Sequence, residues 1–337
     1  MGNGGNEAMN DKYIGHPSQI SGVEEFSLLK GKGKGMTILE VRNGNGLQMS
    51  LSADRAMDIA RIFVDGVNMG YFAPCGYVAP AYYDNRGLKF LKSFTAGFIT
   101  TCGFGNVGSP CEDDGEELPL HGTISHTPCD FYSYNETDDE IIVTATVRDA
   151  SIFADQLLLE RKYICKKAEN KIILEDTIKN IGSKKSPCML LYHINIGYPL
   201  LSENAKVNIP AKSAIWNSEV AKRGFDDRLK MEKPQRGYAE QCFYYDVIDE
   251  DGICSVSIFN PDINKGLKIS YDKSTLDSFT EWKMMGEKDY VLGLEPGNCN
   301  PDGRCVVRKE GKLKELNPNE EYKTRVVLEF VNSENDF

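Results

Sequence analysis

The sequence predicts an all-β protein, because strand-like periodicity is frequent, turn residues are abundant and helical patterns are scarce. Apolar and polar residues alternate with a period of two in segments 141–148, 156–166, 171–179, 253–259, 266–271 and 323–331. Thirty-one glycines and 14 prolines provide the turns that many short β-connections require. Only residues 54–63 show a helix-like amphipathic pattern, and that segment also fits a strand.

A single large antiparallel β domain is expected over residues 26–337, because no linker or internal repeat divides the chain. The length of 337 residues does not decide the matter, since large β-sandwiches exceed the usual domain size. Residues 1–25 are predicted to be a flexible N-terminal segment. Residues 73–128 are rich in Gly, Pro and small side chains and predict long loops with short strands. Loops of that length inside a domain tend to be functional.

Charge and cysteine usage exclude several classes of partner. The net charge of −11, from 39 basic and 50 acidic residues, disfavours nucleic acid and anionic membranes. No apolar run approaches the roughly 20 residues of a membrane span, and the first residues lack a secretory pattern. The ten cysteines are scattered without a CxxC pair, which favours reduced, mostly buried thiols over disulfides or a zinc site. A cytoplasmic protein is expected.

Only four histidines are present, so each position is informative. His16 lies in the N-terminal segment and is not expected to matter. His121 and His126 are five residues apart, which in an extended strand places them on opposite faces unless a bulge intervenes. His121, beside the flexible Gly122, is favoured for a pocket. For either histidine alone, a hydrogen-bonded structural role is the commoner explanation.

His193 and Asn195 interrupt the otherwise apolar segment 188–201. Their spacing of two puts both side chains on the same face of a strand. Buried polar groups cost free energy unless they are paired, so two adjacent ones indicate a cavity or cleft. The alternative is a core histidine that is hydrogen-bonded to the asparagine.

Glu295 follows the apolar strand 290–294, and Pro296 and Gly297 begin a turn-rich loop. A carboxylate at a strand end is well placed to project into a site on a rigid scaffold. The alternative is a solvated loop residue. Trp282 offers an apolar platform for a sugar ring, against the alternative of a buried core tryptophan.

Two further patterns are weak. The acidic cluster Glu112, Asp113, Asp114, Glu116 and Glu117 has oxygen ligands for a hard cation, but it lacks the spacing of a calcium loop, so a solvated acidic loop is favoured. Residues 103–108 match GxGxxG without a surrounding βαβ unit, so a nicotinamide site is not expected. The sequence therefore predicts no metal and no redox cofactor.

Several segments together resemble the galactose mutarotase-like superfamily, and most closely its aldose 1-epimerase-like branch. They occur in order as DRAMDI (54–59), PAYYDNRGL (80–88), GFITTCGFGNVGSPC (97–111), GEELPLHGTISHTP (115–128), YHINIGYP (192–199) and residues 282–304. The resemblance implies a β-supersandwich of large antiparallel sheets, with a sugar cleft across one sheet.

The resemblance also implies roles for individual residues. Glu295 matches the base that takes the proton from the anomeric hydroxyl, and His193 matches the acid that protonates the ring oxygen, on the opposite side of the sugar. The ring opens, the C1–C2 bond rotates, and closure gives the other anomer. Each group would supply roughly 10²–10⁴ in rate. By the same resemblance, His121 matches a second histidine near the ring, Asn195 and Trp282 would bind the ring, and Arg55 and Arg161 are secondary candidates for binding or for positioning carboxylates.

One departure from the family bears on the substrate. Relatives that act on hexose 6-phosphates carry arginines near the Gly-rich segment and after the HG motif. Here Ser125 occupies the position after the HG motif, and residues 94–97 contain no arginine. Lys92 or Arg86 could compensate for the missing positive charge. Because phosphate favours Arg or Lys clamps, a neutral sugar is preferred.

Three functions therefore remain open. The first is a mutarotase or epimerase of a free aldose without a cofactor. The second is an isomerase or lyase on the same scaffold, and the third is a non-catalytic carbohydrate-binding protein.

Overall fold

Antiparallel strands dominate the computed structural model, which describes residues 11–337. In chain order the strands are β1 (Gly22–Ser27), β2 (Thr37–Arg42), β3 (Leu47–Ser52), β4 (Asp58–Val64), β5 (Val67–Asn68), β6 (Ile99–Phe104), β7 (Cys111–Asp113), β8 (Glu116–Leu118), β9 (Phe131–Glu136), β10 (Glu140–Ala150), β11 (Gln156–Lys166), β12 (Lys171–Asn180), β13 (Ser186–Pro187), β14 (Met189–Ile196), β15 (Lys206–Asn208), β16 (Ala211–Trp216), β17 (Gln241–Val247), β18 (Asp249–Glu250), β19 (Ile253–Asn260), β20 (Lys265–Asp272), β21 (Ser278–Met285), β22 (Tyr290–Gly297), β23 (Glu315–Leu316) and β24 (Glu321–Val331).

The helices of the described residues are short. Two are α-helical, α1 (Glu219–Arg223) and α2 (Arg304–Lys309). Single 3₁₀ turns or slightly longer 3₁₀ segments occur at Asp11–Tyr13, Pro17–Gln19, Gly31–Gly33, Pro80–Tyr82, Gly87–Lys92, Ile124–His126, Phe225–Asp227 and Glu334–Asp336. Within residues 11–337, no helix has the length and apolar character needed to cross a membrane.

Three large sheets contain most of the strands. A five-stranded sheet runs β1-β2-β3-β4-β5, and a six-stranded sheet runs β16-β17-β21-β22-β14-β6. A nine-stranded sheet runs β15-β19-β20-β24-β12-β11-β10-β9, with β18 paired to β19. One continuous apolar core draws side chains from all three sheets, as the alternation of buried and partly exposed residues in β10, β11 and β24 requires. The predicted all-β class is confirmed, and each of the six segments predicted from alternation lies in a strand.

The helix-like segment 54–63 is not helical. Residues 54–57 form a turn in which Ala56 and Met57 have φ values of 49° and 58°, and β4 follows directly. β4 pairs with β3 along its length, so its backbone hydrogen bonds are satisfied by the sheet. Tertiary pairing therefore overrides a local pattern that fitted both structures.

The predicted N-terminal segment ends at residue 25, but β1 begins at Gly22 and pairs with β2 from Gly22–Arg42 onward. Residues 22–25 thus belong to the five-stranded sheet. Residues 1–10 of that predicted segment lie outside the described residues. His16 caps the turn Pro17–Gln19, and its side chain accepts a hydrogen bond from the backbone N–H of Ser18.

Strand β14 shows how the fold presents a site. Leu190, Tyr192, Ile194 and Ile196 point into the main core, and the hydroxyl of Tyr192 donates to Asp176 of β12 at 2.7 Å. Because side chains alternate along a strand, His193 and Asn195 point to the other face of the six-stranded sheet, here called the outer face. The 73–128 segment, with β6–β8 and the 3₁₀ segments, contributes side chains above that face.

Candidate active site

His193 and Glu295 lie side by side on the outer face. The register of β14 with β22 pairs Ile194 with Leu294 and Asn195 with Gly293, which sets His193 opposite Glu295. The two side chains meet with Nε2 and Oε1 3.3 Å apart, and only 5% and 2% of these residues are exposed. They are therefore neighbours on one wall, not groups on opposite sides of a sugar as the resemblance implied. Glu295 also lies within β22, two residues before its end.

A glycine makes room for the carboxylate. Gly293 precedes Glu295 by two residues and shares its face of β22. A Cβ atom at residue 293 would lie 2.2 Å from Glu295 Oε1 and 3.0 Å from the Cβ of Trp282. The Glu295 carboxylate thus occupies the space that a side chain at residue 293 would need. The glycine inside an apolar strand was the feature of the sequence that indicated this close approach.

The pair opens into a cavity of about 310 Å³, here called the site pocket. This volume lies in the range of roughly 300–1,000 Å³ typical of small-molecule sites. One side is apolar, with Leu88, Phe90, Leu91, Phe94 and Leu120 from the 73–128 segment. Polar side chains on or beside the sheet also line the pocket, namely His193, Asn217, Glu240, Thr280 and Glu295, and the 73–128 segment adds Ser109 and His121. The predicted functional loops therefore supply the roof of this pocket.

Burial disfavours charge on both members of the pair. It lowers the pKa of His193 well below its ordinary value of 6.5, with further lowering by His121 and a smaller opposing effect of Asn195. It raises the pKa of Glu295 well above 4.5, with a smaller contribution from Glu240. Because burial removes the hydration of a charged group, both directions favour the neutral forms of the two side chains.

His121 lies in the same pocket, with its ring centroid 5.5 Å from that of His193. Its Nδ1 accepts a hydrogen bond from the N–H of Gly108 at 3.3 Å. Burial lowers the pKa of His121 to about 4, so the ring is neutral and its proton must be on Nε2. The ring is thereby fixed as a hydrogen-bond donor through Nε2.

His121 and His126 do not lie on a strand, so the prediction that an extended strand places them on opposite faces was wrong. His121 has φ 58° in a tight turn before Gly122, and His126 ends a 3₁₀ turn. His126 stacks on Tyr83 at 4.0 Å, and both of its ring nitrogens are hydrogen-bonded, to Ser93 and Ser125. The structure places His121, and not His126, in the site pocket.

Trp282 and Asn195 differ in their access to the pocket. Trp282 lines it, 5.2 Å from His193 between ring centroids, and its indole N–H donates to Glu240 at 2.8 Å. Asn195 is fully buried on the same face of β14, and its side-chain N–H donates to the His193 carbonyl oxygen at 2.9 Å. Asn195 therefore supports the strand beside His193 and does not line the pocket.

Arg55 and Arg161 do not reach the site pocket. The Arg55 side chain donates to the carbonyl oxygens of Val78, Ser93 and Ser125, which ties the 73–128 segment together. The Arg161 guanidinium lies in the core, 2.7 Å from carboxylate oxygens of both Asp58 and Asp176. The expectation that either arginine binds the sugar is therefore corrected, since their donors are used elsewhere. Arg161 does position carboxylates, but structural ones.

The acidic cluster is partly an ion-pair network. Asp113 is buried and contacts Arg304 and Arg308, at 2.6 and 2.9 Å, and Glu116 contacts Arg304 at 2.8 Å. These contacts join the β7–β8 hairpin to α2, so the cluster is not simply a solvated loop. In residues 11–337, no group of three or more His, Cys, Asp or Glu side chains is arranged to hold a metal ion. All ten cysteines are free, five of them buried and five partly buried.

Three site residues escaped the sequence analysis. Thr280 of β21 lies opposite Glu295 in the register, is fully buried, and its Oγ1 has no hydrogen-bond partner among the described residues. Glu240 and Cys242 line the pocket beside Trp282. The period-two relation between Thr280 and Trp282 was a usable signal, because it puts both on one face. Nothing local marked Glu240 or Cys242.

Solved structures with the same architecture define the class of protein. A candidate aldose 1-epimerase from Klebsiella pneumoniae is 26% identical, with a TM-score of 0.88 over 93% of this chain and 84% of its own. A galactose mutarotase-like protein from Clostridium acetobutylicum is 14% identical, with a TM-score of 0.66 over 93% and 99% of the two chains. The galactose 1-epimerase of Lactobacillus acidophilus is 13% identical, with a TM-score of 0.61 over 93% and 99%. The fold is that of the galactose mutarotase-like proteins, which confirms the resemblance.

The chain belongs to the family described as Domain of unknown function (DUF4432), whose model matches residues 33–330. No curated protein sequence matches the chain.

Proposed function

We propose that this protein interconverts the anomers of a non-phosphorylated aldose by acid–base ring opening. The observation that carries the proposal is the contact between His193 and Glu295, 3.3 Å apart in a pocket of suitable size. The anomeric oxygen and the ring oxygen are bonded to the same carbon, so two groups in contact can reach both atoms. Side-by-side placement therefore serves the reaction as well as placement on opposite sides would.

The proposed reaction uses both members of the pair. The anomeric hydroxyl donates to Glu295, which acts as the base, and protonated His193 donates to the ring oxygen, which opens the ring. Both substrate contacts stabilise charged forms that burial otherwise disfavours, so the pair ionises fully only when a sugar is bound. After rotation about the C1–C2 bond, the reverse proton transfers close the ring. His121 Nε2–H is a fixed donor to a sugar oxygen, and Trp282 packs on the ring.

The charge of the pocket supports a neutral substrate. Among the described residues that line it, the ionisable carboxylates are Glu240 and Glu295, and no Lys or Arg is present. Arg86 is engaged with Asp84 at 2.7 Å, and Lys92 is exposed outside the lining. Neither side chain compensates for the missing arginines, so a phosphate would meet no cationic side chain in this lining.

The test is NMR exchange between the anomers of a panel of aldoses and their 6-phosphates. We expect at least one free aldose to exchange faster than in buffer, and Glu295→Gln and His193→Gln to remove that acceleration. His126→Gln, at a buried histidine outside the pocket, is the matched control once its folded fraction has been measured by circular dichroism. The proposal fails if no sugar exchanges faster than in buffer. It also fails if both pocket variants retain full acceleration.

The same spectra identify the other activities open to this scaffold. Signals of new products would indicate an isomerase or lyase. Line broadening of a sugar without anomer exchange would indicate a carbohydrate-binding protein.

A further inference from the structure

The outer face carries a second cavity of about 420 Å³, here called the distal cavity. Its lining includes Ser213 and Ile215 of β16, Tyr244 of β17, Ser278 of β21, Asn300 and Lys312. It is larger than the site pocket, and the acid–base pair does not reach it. A second cavity of this size beside a site for a small sugar requires an explanation of its own.

The two cavities adjoin each other along the same strands. On β17, Cys242 lines the site pocket and Tyr244 lines the distal cavity. On β21, Thr280 lines the site pocket and Ser278 lines the distal cavity. A step of two residues keeps a side chain on the same face and moves it about 6.8 Å along an antiparallel strand. One ligand of two linked rings can therefore contact both cavities.

The loop of residues 300–302 forms the boundary between the cavities, and its backbone pairs with that of Gly108 and Ser109. Pro301 lines the site pocket, while its neighbours Asn300 and Asp302 line the distal cavity. The Tyr244 hydroxyl donates to Asp302 Oδ1 at 2.7 Å, on the side of this boundary that faces the distal cavity. A two-ring ligand that contacts both cavities must therefore cross over this loop.

The chemistry of the distal cavity suits a neutral polyhydroxyl ligand. Its other acidic side chains are paired with lysines, namely Asp246 with Lys273, Asp277 with Lys314 and Glu310 with Lys312. Because these charges are neutralised within the protein, they do not favour a metal cation. Hydroxyl and amide groups of Ser213 and Asn300 supply donors and acceptors, and Ile215, 56% exposed, supplies an apolar surface for the C–H face of a sugar.

We propose that the distal cavity binds the second ring of a reducing disaccharide whose reducing ring occupies the site pocket. This inference rests on the proposed function. The anomeric carbon of the first ring must stay free beside His193 and Glu295, so the glycosidic bond leaves from another of its hydroxyls. The second ring then extends past Pro301 toward β16.

The experiment compares reducing disaccharides with their own reducing-end monosaccharides. Maltose, cellobiose and gentiobiose are paired with glucose, xylobiose with xylose and mannobiose with mannose. Dissociation constants from calorimetry and anomer exchange rates from NMR are measured for the wild type and for Ser213→Trp, which fills the distal cavity. Lys212→Trp, at the adjacent residue outside the lining, is the matched control.

We expect at least one disaccharide to bind about tenfold more tightly than its monosaccharide, and Ser213→Trp to abolish that gain while Lys212→Trp keeps it. Monosaccharide binding and exchange should be the same in all three proteins. The proposal is overturned if no disaccharide gains affinity, or if Ser213→Trp leaves the gain intact. A disaccharide gain without anomer exchange overturns mutarotation and leaves the subsite standing, and the absence of all binding overturns both.

Discussion

His193 and Glu295 are cross-strand neighbours on β14 and β22, with Nε2 and Oε1 3.3 Å apart and both groups almost completely buried. Glu295 Oε1 and His193 Nδ1 have no hydrogen-bond partner among the described residues. A buried acid–base pair with unused hydrogen-bonding capacity is costly for stability, and such pairs are typical of sites that bind a ligand.

The pair should act as a unit. Glu295→Gln and His193→Gln are each expected to lower kcat for anomer exchange by about 10²–10⁴. The double variant should be no slower than the slower single variant, because the proton transfers depend on both groups. NMR exchange kinetics on the four proteins test this. Multiplicative losses would mean that the two residues act independently.

Stability should depend on pH through Glu295. Its pKa in the folded protein is raised by burial, so the folded state holds the proton more tightly than the unfolded state. The free energy of unfolding therefore falls as pH rises from about 4.3, the unfolded pKa, toward the raised folded pKa. Glu295→Gln removes this loss and should be more stable than the wild type at pH 8.

The measurement is urea denaturation of the wild type and Glu295→Gln at pH values from 4 to 8. The advantage of the variant should grow with pH. Glu219→Gln, at an exposed carboxylate of α1, is the control for the substitution itself. A constant difference at all pH values would contradict the prediction.

The Thr280 hydroxyl should contribute to catalysis but not to the stability of the fold. Its hydroxyl is buried without a partner and lies opposite Glu295, so we expect it to hydrogen-bond to the ionised carboxylate or to the sugar. Thr280→Val should lower kcat/KM about tenfold, as loss of a hydrogen bond to a charged group implies. The melting temperature should stay the same or rise, because an unsatisfied buried hydroxyl is removed.

Two companion variants separate this role from simple packing. Thr280→Ser should restore the rate. Thr100→Val removes a buried hydroxyl that is already bonded to the Ala96 carbonyl oxygen, and should lower stability without changing the pH profile. Full activity in Thr280→Val would exclude the proposed contact.

Gly293→Ala should misplace the base. The added Cβ would meet Glu295 Oε1 at 2.2 Å, and the carboxylate is the mobile group that must shift. Because a displacement of about 1 Å can cost 10²-fold in rate, we expect a comparable fall in kcat with the fold retained. Gly105→Ala, where the nearest atom lies 4.0 Å away, is the control. Unchanged kcat in Gly293→Ala would show that the position of the carboxylate is not critical.

Arg161 should affect stability and not substrate affinity. Removing it in Arg161→Met leaves Asp58 and Asp176 buried without their cation, which should cost about 3–5 kcal/mol in urea denaturation. Adding Asp58→Asn and Asp176→Asn should recover part of that loss. KM of the remaining folded protein should not change. A raised KM with normal stability would instead indicate that Arg161 contributes to sugar binding.

Much of the site could be predicted from single strands. The alternation of residues in β14 predicts that His193 and Asn195 share a face, and they do. The apolar strand before Glu295 predicts a carboxylate on a rigid element, which is also found. Alternation with a period of two shows which side chains within one strand share a face. It does not state which strands become neighbours.

The sequence by itself therefore determined the all-β class, the strands with clear alternation and the separate candidates His193, His121, Glu295 and Trp282. Tertiary structure alone decided that β14 lies beside β22, about a hundred residues later in the chain, and so that His193 meets Glu295. It also turned Arg161 into the core and placed Thr280 beside the base. The reason is physical, because strand pairing is set by long-range packing of whole sheets, whereas a local pattern records only which face of each strand avoids water.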